Sequence, residues 1–318
     1  METIVNEKPK QKILINTSAS FRGANVTRTI SQCPRRYAFR RSLVERSEYI
    51  GHFEQGTMMH IGLAHHYTQE GIRESGRVKV DGTVYRDADL FYGPFEAVDR
   101  YAKILIERFP NSPLDRGGST GPQSVHEDIA SRALAVRELL KMVIEDDPIL
   151  AIGVPVAIEM EVRATLETGG LVHTDRIDLI YRRFTGELRA VDYKTTSRLD
   201  KLFYEIYRKD VQFVQIYRIM RELYPKSFSG IDILALKKRG KRAKPKISFE
   251  EADPYPGDLQ IKRADATLLW WDKIEKDLWD VFGDKPAGFW PAANNADNCH
   301  GHWGKCPYFD ICNKPLED

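Results

Sequence analysis

Asp175-Arg-Ile-Asp178 and, beyond a turn, Val191-Asp192-Tyr193-Lys194-Thr195-Thr196 decide how this chain reads. Alternate residues of an extended strand share a face, so Asp192 and Lys194 point one way while Val191 and Tyr193 enter the opposite layer. An acid and an amine then face one pocket. If Asp175 lies on the neighbouring strand, its carboxylate joins that of Asp192 in an oxygen-rich site that suits a hard divalent cation. In isolation so short a string equally describes a surface hairpin with an ordinary ion pair, and its surroundings must decide.

Working outward, residues 154–166, 171–181 and 188–193 read as a three-stranded meander, turned at Thr168-Gly-Gly170 and Thr185-Gly186. Residues 202–223 return to helix, 229–236 to strand, and 259–282 form a long helix stopped by Gly283 and Pro286. Upstream the chain is helical. Thr27 is placed to cap a helix through Cys33 and Tyr37 to about residue 43, and Met59, Leu63 and Tyr67 recur at helical spacing within 54–69. Further helices are expected over 94–109 and 125–144. The fold class is therefore α/β, a central mixed sheet flanked by helices. No repeat or Gly/Ser linker divides the 318 residues, which read as one domain: a mainly helical stretch over residues 1–150, a sheet core over 151–250 and a helix with its tail over 251–318.

Composition sets the bounds. The chain is 42% hydrophobic, enough for a substantial core, and its net charge of +2 by itself specifies no partner. Its start mixes charges and lacks the apolar stretch of an export signal. The longest apolar run, 149–158, is broken by Gly153 and Pro155 and falls short of the roughly 20 residues that span a bilayer. An intracellular protein without a membrane partner is expected, in which thiols stay reduced and grouped cysteines bind metal more often than they pair. The four cysteines are Cys33, Cys299, Cys306 and Cys312. Four sulfurs suit a tetrahedral zinc or an iron–sulfur cubane, and the spacing alone does not separate them.

The order of these signals resembles the RecB-type branch of the PD-(D/E)XK nuclease superfamily, which includes the nuclease domains of RecB and AddB and the CRISPR-associated spacer-acquisition exonucleases. The pattern runs from a helical histidine, matched by His60 in Gly56-Thr-Met-Met-His60, through Gly-x-x-Asp, matched at Asp175, to Asp/Glu-x-Lys, matched by Asp192 and Lys194. Two positions depart from it. Val172 replaces the glycine of Gly-x-x-Asp, and Phe213 stands four residues before Tyr217 where a glutamine belongs, flanked by Gln212 and Gln215. Gln212 is taken for that role.

The resemblance implies a metal-dependent DNA nuclease, acting on single strands or ends. His60, Asp175 and Asp192 would hold Mg²⁺ or Mn²⁺, joined by the Tyr193 carbonyl, with Lys194 assisting the water and Gln212 and Tyr217 positioning DNA. Glu159, alternating with Glu161 before the hairpin, offers a further carboxylate, whereas His65 and His66 lack such support. The one-plus-three cysteines, in Cys33-Pro-Arg-Arg-Tyr37 and Cys306-Pro-Tyr-Phe-Asp-Ile-Cys312, resemble the family's 4Fe-4S staple, with Cys299 as the fourth ligand; His300 and His302 read as polar tail residues.

Residues 236–246 carry seven basic residues and no acid. Lys237, Lys238, Arg239, Lys241 and Arg242 are therefore candidate phosphate contacts, with Arg35 and Arg36, beside Arg40 and Arg41, as a second basic surface. Trp270, Trp271 and Trp279 read as a buried helix face. There is no P-loop string, so an ATP-driven motor would be a separate helicase, recombinase or CRISPR-adaptation partner. The rivals are a non-catalytic DNA-binding or assembly subunit on the same fold and an RNA-directed nuclease.

Overall fold

Strands dominate the stretch after Pro148 and helices the stretches on either side of it. The computed structural model describes residues 24–42, 49–114, 122–165, 172–238, 244–253, 258–292, 300–301, 304–306, 308 and 312. The helices are α1 (Ala24–Gln32), α2 (Pro34–Arg41), α3 (Gly51–Ser75), α4 (Pro94–Arg108), α5 (Val125–Glu145), α6 (Lys201–Arg208), α7 (Val211–Leu223) and α8 (Asp258–Phe282). The strands are β1 (Val78–Val80), β2 (Thr83–Tyr85), β3 (Gly153–Thr165), β4 (Val172–Arg183), β5 (Leu188–Thr196), β6 (Phe228–Lys237) and β7 (Lys246–Glu251), with a small separate pair, β8 (His300–Gly301) and β9 (Gly304–Lys305).

Seven strands form one mixed sheet in the order β2-β1-β3-β4-β5-β6-β7. β3, β4 and β5 are the expected antiparallel meander. β6 lies parallel to β5, a pairing that needs a crossover, and α6 with α7 supplies it. β1, β2 and β7 widen the sheet beyond the sequence reading, because β1 and β2 are only three residues long and β7 is half charged, so none carries much periodic signal. The turn between β1 and β2 is Asp81-Gly82 with both residues at positive φ, the conformation a tight hairpin requires.

Thr27, expected to cap the first helix, lies inside α1, the helix expected over 54–69 extends to Gly51–Ser75, and two expected helices are each divided in two. The helix assigned through Cys33 is two, since Pro34 cannot donate the next backbone bond but fits the first turn of α2, where no donor is needed. The helix assigned to 202–223 is also two. Asp210 accepts from the Gln212 N–H at 2.8 Å and caps α7 as a new start.

Each sheet face has its own core. Leu179, Tyr181, Val191, Tyr193, Leu234 and Leu236 pack with Met58, Met59, Leu63 and Tyr67 of α3 and with α4 and α5. Full burial of each such side chain contributes about 1.5–3 kcal/mol. On the other face Ile177, Ala190 and Ile233 pack against Phe213, Ile216 and Ile219 of α7. A third cluster joins Ile30 and Tyr37 of the first helices to Leu268 and Trp271 of α8 and to Trp290. Of the three tryptophans assigned to a buried face only Trp271 is buried; Trp270 and Trp279 are exposed.

One break in this regular sheet positions the site. The β4–β5 ladder ends at Leu179↔Val191, while β4 continues beside β3 and β5 continues beside β6 to Thr196↔Lys237. The meander therefore opens into a fork just beyond Asp178 and Asp192. No helix among the described residues is long and apolar enough to cross a membrane.

Candidate metal centre at the strand fork

Asp178 seals the fork. Its Oδ2 accepts the Tyr193 N–H at 2.7 Å, replacing the ladder bond that β4 would have provided, and its Oδ1 lies 3.4 Å from His60 Nδ1. His60 comes from α3, and its Nε2 is 3.2 Å from the Tyr193 carbonyl. Glu159 completes a group with His60 and Asp178 whose ligand atoms all lie within 4.8 Å of one another. Glu159 is buried and sits at φ +49°, a rare conformation for a side chain with a Cβ, between the Ile158↔Leu179 and Met160↔Ile177 pairs. Arg176 holds that backbone: its Nη1 donates to the Glu159 carbonyl and to Asp81, both at 2.9 Å.

The opposite face supplies the rest. Lys194 is ion-paired with Asp192, and its ammonium stands 5.3 Å from the centre of the Tyr207 ring on α6. Asp175 accepts the Arg176 N–H at 2.9 Å and, through the same Oδ1, the Gln212 amide at 3.5 Å. Its Oδ2 is buried without a hydrogen-bond partner among the described residues. Gln215 donates to the Thr174 carbonyl at 3.1 Å, so the two glutamines beside Phe213 grip the Asp175 carboxylate and the β4 backbone between them. Tyr217 is turned elsewhere: its ring packs on Phe228 at 5.6 Å and its hydroxyl accepts from Arg221.

Charge is unbalanced here. Four carboxyl groups, Glu159, Asp175, Asp178 and Asp192, face one lysine and one histidine. Burial pushes Asp175 up to about 7, reinforced by Asp192 and opposed by the Arg176 N–H, Gln212 and Lys194. Burial also raises Asp192, against the pull of Lys194. Asp178 is held below its ordinary range, because His60, Lys194 and the Tyr193 N–H outweigh its burial. Burial disfavours the His60 imidazolium, yet Asp178 and Glu159 lift its pKa to about 9. Lys194 stays charged, as Asp192 outweighs burial.

Excess buried acid, an imidazole, an orphaned carboxylate oxygen and a nearby carbonyl are the donors expected around a divalent cation. A family model for the PD-(D/E)XK nuclease superfamily matches residues 24–313. The chain belongs to the PD-(D/E)XK nuclease superfamily. No curated protein matches it at the sequence level. Among solved structures, one titled "Crystal structure of SSO0001" aligns at 12% identity over 70% of this chain and 87% of that chain, with a TM-score of 0.29.

In this PD-(D/E)XK nuclease, His60, Glu159 and Asp178 offer ligand atoms grouped closely enough for a divalent metal, with the Tyr193 carbonyl beside His60, while Asp175 and Asp192 stand outside that group but within the same electrostatic field as Lys194. Asp178, Arg176 and Tyr207 have no role in the sequence reading. The signal for the first two was present, since both belong to Asp175-Arg-Ile-Asp178, but strand alternation puts positions three apart on opposite faces and so separates Asp178 from Asp175. At the fork each of them feels Lys194. His65 and His66 serve the core instead. Burial depresses His65 to about 4, with its ring on the Tyr92 carbonyl, and His66 pairs with Asp147 at 2.8 Å.

The cysteine-bearing ends also meet. Arg35, two residues after Cys33, donates to the Trp290 carbonyl at 2.7 Å and to the Cys312 carbonyl and sulfur at 3.2 and 3.4 Å. Phe39 packs on Tyr308 with ring centres 5.3 Å apart. Arg35 is thereby committed to the tail rather than to an open basic surface, and the Arg36 N–H points to Cys33 Sγ at 3.4 Å. Cys33 is buried and Cys306 and Cys312 half-buried; Cys299, Arg239, Lys241 and Arg242 lie outside the described residues. Lys237 and Lys238 are half-buried at the end of β6.

Proposed function

We propose that this protein is a RecB-type, Mg²⁺- or Mn²⁺-dependent DNase that hydrolyses phosphodiesters in single-stranded DNA or at DNA ends, in repair, recombination or mobile-element processing. The observation that carries the reading is the fork itself, where His60, Glu159 and Asp178 converge and an Asp192–Lys194 pair lies between them and the unsatisfied Asp175 oxygen. A bound divalent cation supplies Lewis-acid polarisation of the phosphodiester and a more acidic water. The chain's own residues do the rest. Asp178 orients the His60 ring through Nδ1, so that Nε2, now on the Tyr193 carbonyl, is the atom that would turn to the metal. Lys194, kept charged by Asp192 and braced by Tyr207, steadies negative charge that develops on the phosphoryl oxygens. Gln212 fixes the orientation of Asp175.

The contact between Gln212 and Asp175 supports the catalytic reading over a non-catalytic subunit, because it fills the role that Phe213 left vacant. The Arg35–Cys312 contact supports a 4Fe-4S cluster held by Cys33, Cys299, Cys306 and Cys312, with a structural role. The partners proposed are DNA and a separate helicase, recombinase or CRISPR-adaptation protein. The test is incubation of the full chain with Mn²⁺ and end-labelled single-stranded DNA and RNA. Cleavage of DNA that Asp192→Ala abolishes is expected; cleavage of RNA alone, or none by the wild type, would refute the assignment. Anaerobic purification should give a brown protein with about four irons and four sulfides per chain.

A further inference from the structure

A cavity of about 240 Å³ that the carboxylate centre does not use lies at the ends of β5 and β6, towards α3 and α5. Its polar lining comprises Gln55, Asp128, Ser131, Arg132, Glu138 and Lys238. Lys238 follows the last residue of β6, and its N–H donates to the Thr196 carbonyl at 2.8 Å, two residues past Lys194. Its ammonium makes no ion pair among the described residues. Burial and the proximity of Arg132 lower its pKa to about 8.

Arg132 is held firmly beside it. Its Nε donates to Asp128 at 2.6 Å and its Nη1 to Gln55 at 3.2 Å, leaving Nη2 uncommitted among the described residues. This clamp presses against the start of α3, where a Cβ on Gly51 would collide with Arg132 Nε and Asp128 Oδ2. Asp128 is occupied by Arg132 and by the Tyr49 hydroxyl at 2.9 Å, and Glu138 has its own partner. His52 feels the same field: burial, Lys238 and Arg132 all depress its pKa. Arg132 from α5 and Lys238 at the end of β6 thus converge on a small space whose acids are already engaged. An unpaired ammonium beside a guanidinium with a nitrogen to spare is suited to receive an anion.

We propose that this cavity is a phosphate subsite, in which Lys238 and Arg132 hold one phosphate of the nucleic-acid strand being cut at the fork. The inference rests on the nuclease reading above. From Lys194 to Thr196 is about 7 Å at roughly 3.3 Å per strand residue, which places the subsite close enough to the fork for one strand to reach both. The phosphate is an internal diester or a terminal monoester, and both offer the same charged oxygens.

The test is fluorescence anisotropy of the full chain in EDTA, where no cleavage intervenes, with three single-stranded DNA probes: linear 5′-phosphorylated, linear 5′-hydroxyl and circular. Lys238→Gln should weaken binding roughly tenfold and reduce the slope of log affinity against log salt by about 0.7. Because it removes an unneutralised half-buried charge, its thermal midpoint should stay the same or rise. Loss on all three probes assigns an internal diester, and loss confined to the phosphorylated probe assigns a terminal monoester; either supports the subsite. Unchanged affinity and salt slope, or weaker binding that merely tracks a lowered midpoint, would overturn it. Wild-type protein that binds the probes but cleaves nothing with Mn²⁺ would refute the nuclease reading while leaving the subsite standing. Failure to bind any probe would refute both.

Discussion

The strand fork and the terminal junction both join distant regions of the chain, and they are built by opposite means. At the fork, regular ladders stop and four acids, a histidine and a lysine fill the opening, drawn from α3, β3, β4 and β5. At the junction, rings and main-chain carbonyls make the contacts: Phe39 on Tyr308, Tyr37 against Trp290, Arg35 on the Trp290 and Cys312 carbonyls. The difference teaches where this protein accepts instability. Buried acids that repel one another oppose folding until a cation joins them, whereas the described contacts of the junction are mainly packing and main-chain hydrogen bonds, with one buried acid, Glu275, accepting from the Tyr37 hydroxyl.

Substitution should therefore separate activity from stability, in opposite senses at the two places. Asp192→Ala is expected to lower DNA cleavage by roughly 10³-fold with no fall in the thermal midpoint, measured by initial rates and calorimetry on the same preparation. Retention of more than a tenth of the activity would break the comparison at its strongest point.

The pH dependence of metal-free stability comes next in size. Asp175 titrates at about 7 in the fold against an ordinary 3.8, so the folded state holds its proton more tightly than the unfolded chain. That contribution is fully present below about 3.8 and is lost as pH rises through 7, amounting to about 4 kcal/mol. Urea unfolding in EDTA should show the decline between pH 4 and 7. Asp175→Asn should flatten it, and saturating Mn²⁺ should offset it in the wild type.

How much of the molecule is legible in its sequence follows the same division. Asp192 and Lys194 can be read because strand alternation fixes their common face whatever surrounds them. Asp178 cannot, because its role depends on β4 leaving β5 at that residue, and the end of a ladder is a property of two strands rather than one. Glu159 is readable only as a candidate; its positive φ is imposed by Arg176 and the β1–β2 turn, contacts that no local pattern encodes. The meander is clear from its apolar runs, while β1 and β2 are too short and β7 too charged to show. At the junction the cysteine spacing points to a meeting of the ends, but the role of Arg35 emerges only once the tail is placed.

The junction should respond the other way from the fork. Cys33→Ala is expected to lower the thermal midpoint by about 5 °C and to make the tail beyond Trp290 more susceptible to protease, with Mn²⁺ affinity changed less than twofold by calorimetric titration. A large loss of Mn²⁺ affinity would mean that the two regions are coupled. The smallest effect is assigned to Tyr207→Leu, which removes the ring facing Lys194 and should reduce kcat about tenfold with KM unchanged, and Tyr207→Phe should restore it.

The central claim is that the fork is where the metal binds. Anomalous diffraction at the manganese edge, from crystals of the full chain grown with Mn²⁺, tests it most directly. The account predicts a peak bonded to His60 Nε2 and to carboxylate oxygens drawn from Glu159, Asp175, Asp178 and Asp192. Manganese bound elsewhere, with the fork empty at saturating Mn²⁺, would contradict it.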